Sequence, residues 1–309
     1  MPITSHLYFV YTVLFIVQVL FGVNFVASKI IVGNLEPTAW AFYRFLISGI
    51  LLLTFTNLIF KQRPHYSFNY FLKINLFAFI GFTVGQLGML KGLKLTTSIN
   101  TSIITSTIPI WTMTFVLINK SENMGLRKVL GFLISFTGVL VIRDFTSFQF
   151  SNETFIGDGL VLIGAIASGT FIGLCRPFLL KNNHFYASSW MFLFGALQIG
   201  ILALLTGTSF EIKSYSTEMV SSMVYSALFA TLLTYFLSNW ALTKVQSGNV
   251  AFFIYFQPVV AAILAWSYLD EVITLRTFLS TGLIILGFLV VCFPFRKMKQ
   301  EEDQRKDHT

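Results

Sequence analysis

The sequence predicts an all-α polytopic membrane protein, with ten transmembrane helices arranged as two inverted five-helix repeats. Three observations lead there. First, 55% of the 309 residues are hydrophobic and 11% charged, with a mean hydropathy of +0.75. A soluble domain carries about 25% charged residues, so this surface cannot face water on every side. Second, apolar runs near the ~20 residues that cross a bilayer recur along the whole length. Third, residues 92–142 lie on residues 241–291 at a fixed offset of 149 without a gap. The overlay puts Asn100 on Asn249, Pro109 on Pro258, Glu122 on Glu271, Arg127 on Arg276 and Gly138 on Gly287. Leucine matches mean little in so apolar a chain. A shared Asn, a mid-segment Pro and a Glu-x-x-x-Leu-Arg loop mean duplication.

The spans follow in order as 7–32, 38–60, 69–91, 97–119, 126–143, 157–180, 186–206, 217–241, 247–269 and 275–295. They are helices rather than barrel strands because the runs are long and lack an alternating period. The first begins near Leu7 with no basic residue before it and no small-residue cleavage site after it, so it reads as a retained helix. The second carries Arg44 and the third Gln86. The fourth and ninth are interrupted in the middle by Pro109 and Pro258. In the sixth, Gly169-x-x-x-Gly173 reads as a packing face, as does Ala261-x-x-x-Ala265 in the ninth. The eighth holds Tyr235, Asn239 and Trp240.

The longest connection, 144–156, is polar and divides the chain into a first repeat, 1–146, and a second, 157–295; residues 296–309 form a charged tail. Five spans per copy is an odd number, so copies joined in series must face opposite ways across the lipid. The run Phe21 to Lys29 overlays Ser168 to Arg176 and supports the same duplication more weakly.

The net charge of +8 comes from basic residues set singly in short loops, not in the stripe that nucleic acid would need. It reads instead as membrane orientation. With the N-terminus inside, fourteen Lys and Arg fall on the cytoplasmic side and six outside, which puts both termini and the tail in the cytoplasm. The two cysteines, Cys175 and Cys292, lie in or beside apolar segments and indicate no disulfide framework.

Enzymatic signatures are scarce. There is no G-x-x-x-x-G-K-[ST] stretch for nucleotide phosphates, no metal-ligand spacing among His6, His65, His184 and His308, and no nucleophile elbow. No enzyme activity, cofactor or metal is expected. Every Asp and Glu can be placed in a loop, tail or span end. Without a mid-membrane carboxylate there is no obvious proton relay, so facilitated diffusion or exchange is at least as well supported as proton coupling.

Candidate solute-binding residues are the polar ones that hydrocarbon cannot solvate. Arg44 sits about two turns into the second span and Lys29 about one turn from the end of the first. Either could attract a carboxylate, or else Lys29 snorkels and Arg44 satisfies backbone carbonyls. Pro109 and Pro258 free carbonyls at matched positions and are the candidate gating elements, a packing kink being the plainer alternative. Around them stand Asn100, Thr105, Trp111, Asn249, Tyr255 and Gln257; Asn24, Gln86, Tyr235, Asn239 and Trp240 complete the set. Taken singly, each Asn or Gln could equally be interhelical glue.

At this point the chain resembles the drug/metabolite transporter superfamily, in its EamA-like branch. The resemblance rests on Phe21-Gly22-Val23-Asn24-Phe25-Val26-Ala27-Ser28-Lys29, on Glu36-Pro37 with Arg44 eight residues beyond the Glu, and on Gly92 to Ser98 leading to Pro109. The stretch Glu122 to Gly138 continues it, with partial recurrence through Ala241, Pro258, Glu271 and Gly287. It implies ten helices, a central cavity open alternately to either side, and lining by the first, third, fourth, sixth, eighth and ninth helices. That brings Asn24, Gln86, Asn100, Tyr235, Trp240, Tyr255 and Gln257 towards the lumen. Two departures stand out: Asn123 and Val272 follow the loop glutamates where the family often has Arg, and the second half has no partner for Arg44.

The reading is therefore a secondary transporter, exporter or exchanger, of small organic solutes such as amino acids, working by alternating access in a bacterial inner membrane. A membrane-embedded enzyme or lipid-handling protein using the same cavity is the alternative. The expected partners are a small-molecule solute and the lipid bilayer, with no nucleic acid and homodimerisation left open.

Overall fold

The computed structural model describes residues 3–60, 66–96, 98–122, 125–141, 152–212, 216–257, 259–260 and 275–292, and these form helices with no strand among them. The first half holds α1 (Ile3–Asn34), α2 (Pro37–Ile59), α3 (Phe68–Leu95), α4 (Ser98–Thr105), α5 (Ile108–Ile118) and α6 (Leu126–Val141). The second holds α7 (Asn152–Lys181), α8 (His184–Leu205), α9 (Thr217–Leu242), α10 (Ser247–Phe252, continued by a 3-10 turn, Phe253–Phe256) and α11 (Leu275–Cys292). Among the described residues six helices, α1, α2, α3, α7, α8 and α9, are long and apolar enough to cross a membrane. The chain is a multi-pass membrane protein.

The duplication extends beyond the region where the sequence overlay is gapless. Pro37 and His184, which open α2 and α8, differ by 147. Phe68 and Thr217, Ser98 and Ser247, and Leu126 and Leu275 open the later pairs, each 149 apart. The two extra residues therefore enter between the second and third elements of the second half. Finer features repeat as well. α3 and α9 each contain a π-helical stretch, Phe79–Gln86 and Leu228–Leu233, whose first residues again differ by 149. Ser67 Oγ accepts the Tyr70 N–H at 3.2 Å and Ser216 Oγ the Met219 N–H at 3.1 Å, so both helices start on the same serine cap.

Thr96 shows that the copies run opposite ways. Its carbonyl accepts from Lys29 Nζ, late in α1, while its hydroxyl donates to Asp158 Oδ1 at 2.6 Å, early in α7. The end of α1 and the start of its repeat equivalent α7 thus lie together, which requires the two helices to be antiparallel.

Equivalent residues meet where the pseudo-twofold axis passes. Phe45 and Phe192, 147 apart, stack with centroids 6.0 Å apart and planes at 17°, where α2 packs on α8. Ser135 Oγ donates to the Ile284 carbonyl at 3.3 Å, 149 residues away, where α6 packs on α11. The axis runs between these helix pairs, and the elements around the cavity lie between them.

The copies are not equally tight. At the Thr96 end, α3 and α7 touch through glycines: a Cβ on Gly92 would stand 2.6 Å from the Gly157 carbonyl, and one on Gly164 would stand 2.7 Å from the Gly85 carbonyl. The matching residues at the opposite end are Ala241 for Gly92, and Val10 and Val17 for Gly157 and Gly164. With larger side chains at those positions, the glycine-on-glycine contact of α3 with α7 has no counterpart between α9 and α1.

The fourth expected span, 97–119, is not one kinked helix. α4 ends at Thr105, Ser106 and Thr107 form a turn, and α5 begins at Ile108. Pro109 stands in the first turn of α5, where its missing N–H has no partner to lose, so it starts a helix rather than bending one. Side chains add to the backbone bonds of the turn: Ser106 Oγ donates to the Ser102 carbonyl at 2.7 Å and Thr107 Oγ1 to the Ile104 carbonyl at 2.7 Å. Pro258 and Glu271 lie outside the described residues.

Candidate functional site

Between the repeats lies a cavity of about 100 Å³. It is lined by α1, α3, the α4–α5 junction, α7, α9 and α10, the same six spans the resemblance implies. Helical spacing explains the selection. On α1, Gln18, Phe21 and Phe25 fall at i, i+3 and i+7. On α9, Tyr235, Ser238, Asn239 and Leu242 do the same.

The polar lining is dominated by carboxamides from both halves: Gln18, Asn24, Gln86, Asn239 and Gln257. Among the described residues no carboxylate lines it. Gln257 Nε2 donates to Gln18 Oε1 at 2.7 Å, which ties α1 to the residue just after the 3-10 turn. Asn239 Nδ2 donates to Ser188 Oγ at 2.9 Å. Asn24 Oδ1 and Asn239 Oδ1 are buried and have no partner. Tyr235 closes one wall, its ring edge-on to Phe21 at 5.7 Å and tilted against Phe82 at 5.0 Å. The π-helical stretch of α3 serves the same wall, bringing Gly81 and Gln86 to the cavity; such bulges often mark functional positions.

Arg44 does not line the cavity. It is 1% exposed and lies one side chain behind it, Nη2 donating to Gln86 Oε1 at 2.8 Å, with the guanidinium 4.8 Å from the Phe45 ring centroid. Its Nε has no partner. Its repeat equivalent, 147 residues on, is the buried apolar Met191, so the charge belongs to one half only.

Three further expected binding residues point elsewhere or lie outside the described residues. Trp240 is edge-on to Phe9 at 5.9 Å, because five residues along a helix from Tyr235 turn a side chain well off the Tyr235 face. Its neighbour Asn239 takes the lumen position. Tyr255 packs with Phe132 and Phe252 in a second small core against α6, one residue's rotation from the lining Ile254. The side chain of Asn100 is outside the described residues. Gln18 is not among the residues expected from sequence, although its spacing from Phe21 and Phe25 on one face of α1 is a signal for it.

Hydrogen bonds at the helix ends also repeat the duplication. Lys29 Nζ donates to the Leu93 and Thr96 carbonyls, each at 2.8 Å. Arg176 Nε donates to the Leu242 and Val245 carbonyls at 3.1 and 3.0 Å. Lys29 and Arg176 are 147 apart and their acceptors 149 apart, so one cation caps the last carbonyls of α3 and the other those of α9. Lys29 is therefore occupied at a helix end. At the Arg176 end, Glu122 of the first half accepts from the Ser247 and Gly248 N–H groups at 2.8 and 3.5 Å, with Arg176 Nη1 3.5 Å away. Lys128 donates to Gln246 Oε1 beside it. Among the described residues no group of three or more His, Cys, Asp or Glu could hold a metal ion.

A model of the EamA-like transporter family matches residues 8–143 and 155–293, one copy on each half. The chain belongs to the EamA-like transporter family. It is 29% identical over 251 residues to an uncharacterized transporter of Archaeoglobus fulgidus, covering 80% of this chain and 85% of that one. It is 22% identical to the uncharacterized transporter YoaV of Bacillus subtilis, over 92% and 96% of the two chains, and 23% identical to a chloroplastic WAT1-related protein of Arabidopsis thaliana, over 88% and 67%. A solved crystal structure overlays 95% of this EamA-like protein and 99% of its own chain at a TM-score of 0.75 and 14% identity, a likeness of fold.

Proposed function

We propose that this EamA-like protein is a secondary carrier that exchanges or exports small zwitterionic solutes, amino acids or close relatives, by alternating access. The two halves rock about the cavity in an inner (plasma) membrane with both termini cytoplasmic. The basic bias of the loops then puts the Glu122–Arg176 end inside and the Thr96–Asp158 end outside.

One observation carries the substrate class. Two cavity residues keep buried acceptor oxygens without partners, Asn24 Oδ1 and Asn239 Oδ1, and a buried guanidinium with a free Nε stands directly behind Gln86. A buried unsatisfied polar group costs about 1–3 kcal/mol, so each is a place where a solute's own hydrogen bonds gain. Amide oxygens suit an ammonium, and a guanidinium suits a carboxylate reached through or in place of Gln86. The small volume favours a compact solute, and the absence of a described carboxylate in the lining supports exchange over proton-driven export.

Counterflow in proteoliposomes tests the proposal. Unlabelled amino acid on the trans side should accelerate entry of labelled amino acid. Entry that ignores the trans solute would indicate a channel, and no entry of any amino acid would remove the substrate assignment.

A further inference from the structure

A second cavity, of about 460 Å³, opens between the start of α3 and the end of α7, and its lining divides by polarity. Lys73, Lys181, Asn69 and Asn182 stand at the helix ends, while Leu76, Ile80, Leu174 and Phe178 continue it along the apolar length of the spans. Both lysines are exposed, and within the described residues neither makes a hydrogen bond or ion pair through its ammonium. Two unpaired ammonium groups above an apolar trough match an amphiphile with an anionic head.

The duplication supplies an internal control. The equivalent positions at the opposite end are Ser222 for Lys73, Asn34 for Lys181 and Glu218 for Asn69. The same helix pair recurs there without either cation and with an acid added. Helix packing alone therefore does not require the lysines, and their pairing is peculiar to the end that the loop charges assign to the cytoplasm.

We propose that this cavity is a binding site for an anionic glycerophospholipid, its phosphate between Lys73 and Lys181 and an acyl chain along Leu76, Ile80 and Leu174. The proposal rests on the membrane reading but not on the solute or the direction of transport, so it can fail while the carrier function stands. The occupant is a lipid rather than a free anion because the trough continues into the depth of the hydrocarbon, where inorganic phosphate gains nothing.

Native mass spectrometry of the full chain in mild detergent, titrated with phosphatidylglycerol or phosphatidylcholine, tests it. Phosphatidylglycerol should be retained preferentially. Lys73→Gln combined with Lys181→Gln should weaken it by about thirtyfold, from the usual contribution of two basic residues at a membrane surface. Lys73→Arg with Lys181→Arg should keep the lipid, as should Lys244→Gln, which removes a cation outside the cavity. Circular dichroism should report unchanged helix content for all variants. Equal retention of phosphatidylcholine, indifference to the double Gln variant, or displacement by excess inorganic phosphate would each overturn the assignment.

Discussion

Arg44 Nη2 donates to Gln86 Oε1 at 2.8 Å, so a fully buried cation is coupled to the cavity through one carboxamide. Removing one partner of a buried charged pair is normally costly, but replacing the charge with an apolar residue of similar length is tolerated better. The protein already makes that choice at the equivalent position, Met191. Arg44→Met is expected to fold and to weaken carboxylate-bearing solutes by roughly 10–100-fold, the ~1.5–3 kcal/mol of a charged hydrogen bond. Decarboxylated analogues should be affected little. Competition by analogue pairs against labelled solute reads the difference; equal loss for both would assign Arg44 to folding alone.

Lys29 and Arg176 perform the same carbonyl capping at opposite ends with different chemistry. Exchanging them should therefore be mild: Lys29→Arg and Arg176→Lys are each expected to keep at least a third of the exchange rate, since two donors to two carbonyls suffice. The corresponding Ala variants should lose helix-end stability of about 1 kcal/mol or more, visible as a lower Tm. A swap as damaging as truncation would show that geometry specific to the guanidinium or ammonium is needed.

Glu122 is the residue of the first half that holds the N-terminus of α10 in the second. Its side chain is 3% exposed, so the cap acts without much screening. Glu122→Ala is expected to destabilise that closure by roughly 1.5–3 kcal/mol and to speed alkylation of a cysteine placed at Val250 in the cavity wall. Alkylation at the wild-type rate would mean the bond is incidental to closure.

The glycine contact between α3 and α7 gives the opposite perturbation. Gly92→Val cannot fit against the Gly157 carbonyl without separating the helices, at a cost of about 1–3 kcal/mol for overpacking. A cysteine at Thr96 should then react faster with a water-soluble maleimide. An unchanged rate would show that this end does not depend on the close approach.

What could be read in the chain, and what could not, follows from the physics of each signal. Duplication is legible because Asn100 and Pro109 are rare residue types in hydrocarbon and Glu122 opens a matched loop, so their recurrence stands out. The earlier spans hid it, since two residues inserted between the second and third elements break the register and the helices there are merely apolar. Which residue faces the lumen was less legible. All sides of these helices are apolar, so Asn239 and Trp240 differ by rotation and not by any pattern of polarity. The π-helical stretches shift rotation again without a sequence mark of their own. Arg44 was visible as a buried cation, but its position behind Gln86 depends on how α2 and α3 meet. Pro109 reads as a bend in sequence because its span is continuous in hydropathy; the turn at Ser106–Thr107, whose hydroxyls bond back to their own chain, is hidden within that apolar run.

The most direct test of the central claim, that the repeats rock about the cavity, is a reversible lock across Thr96 and Asp158, whose side chains meet at 2.6 Å between the halves. Thr96→Cys with Asp158→Cys should exchange solute when reduced, as each single variant should. Oxidation should stop counterflow and dithiothreitol should restore it. Undiminished counterflow in fully oxidised protein would contradict the account, because solute would then cross without that end ever opening.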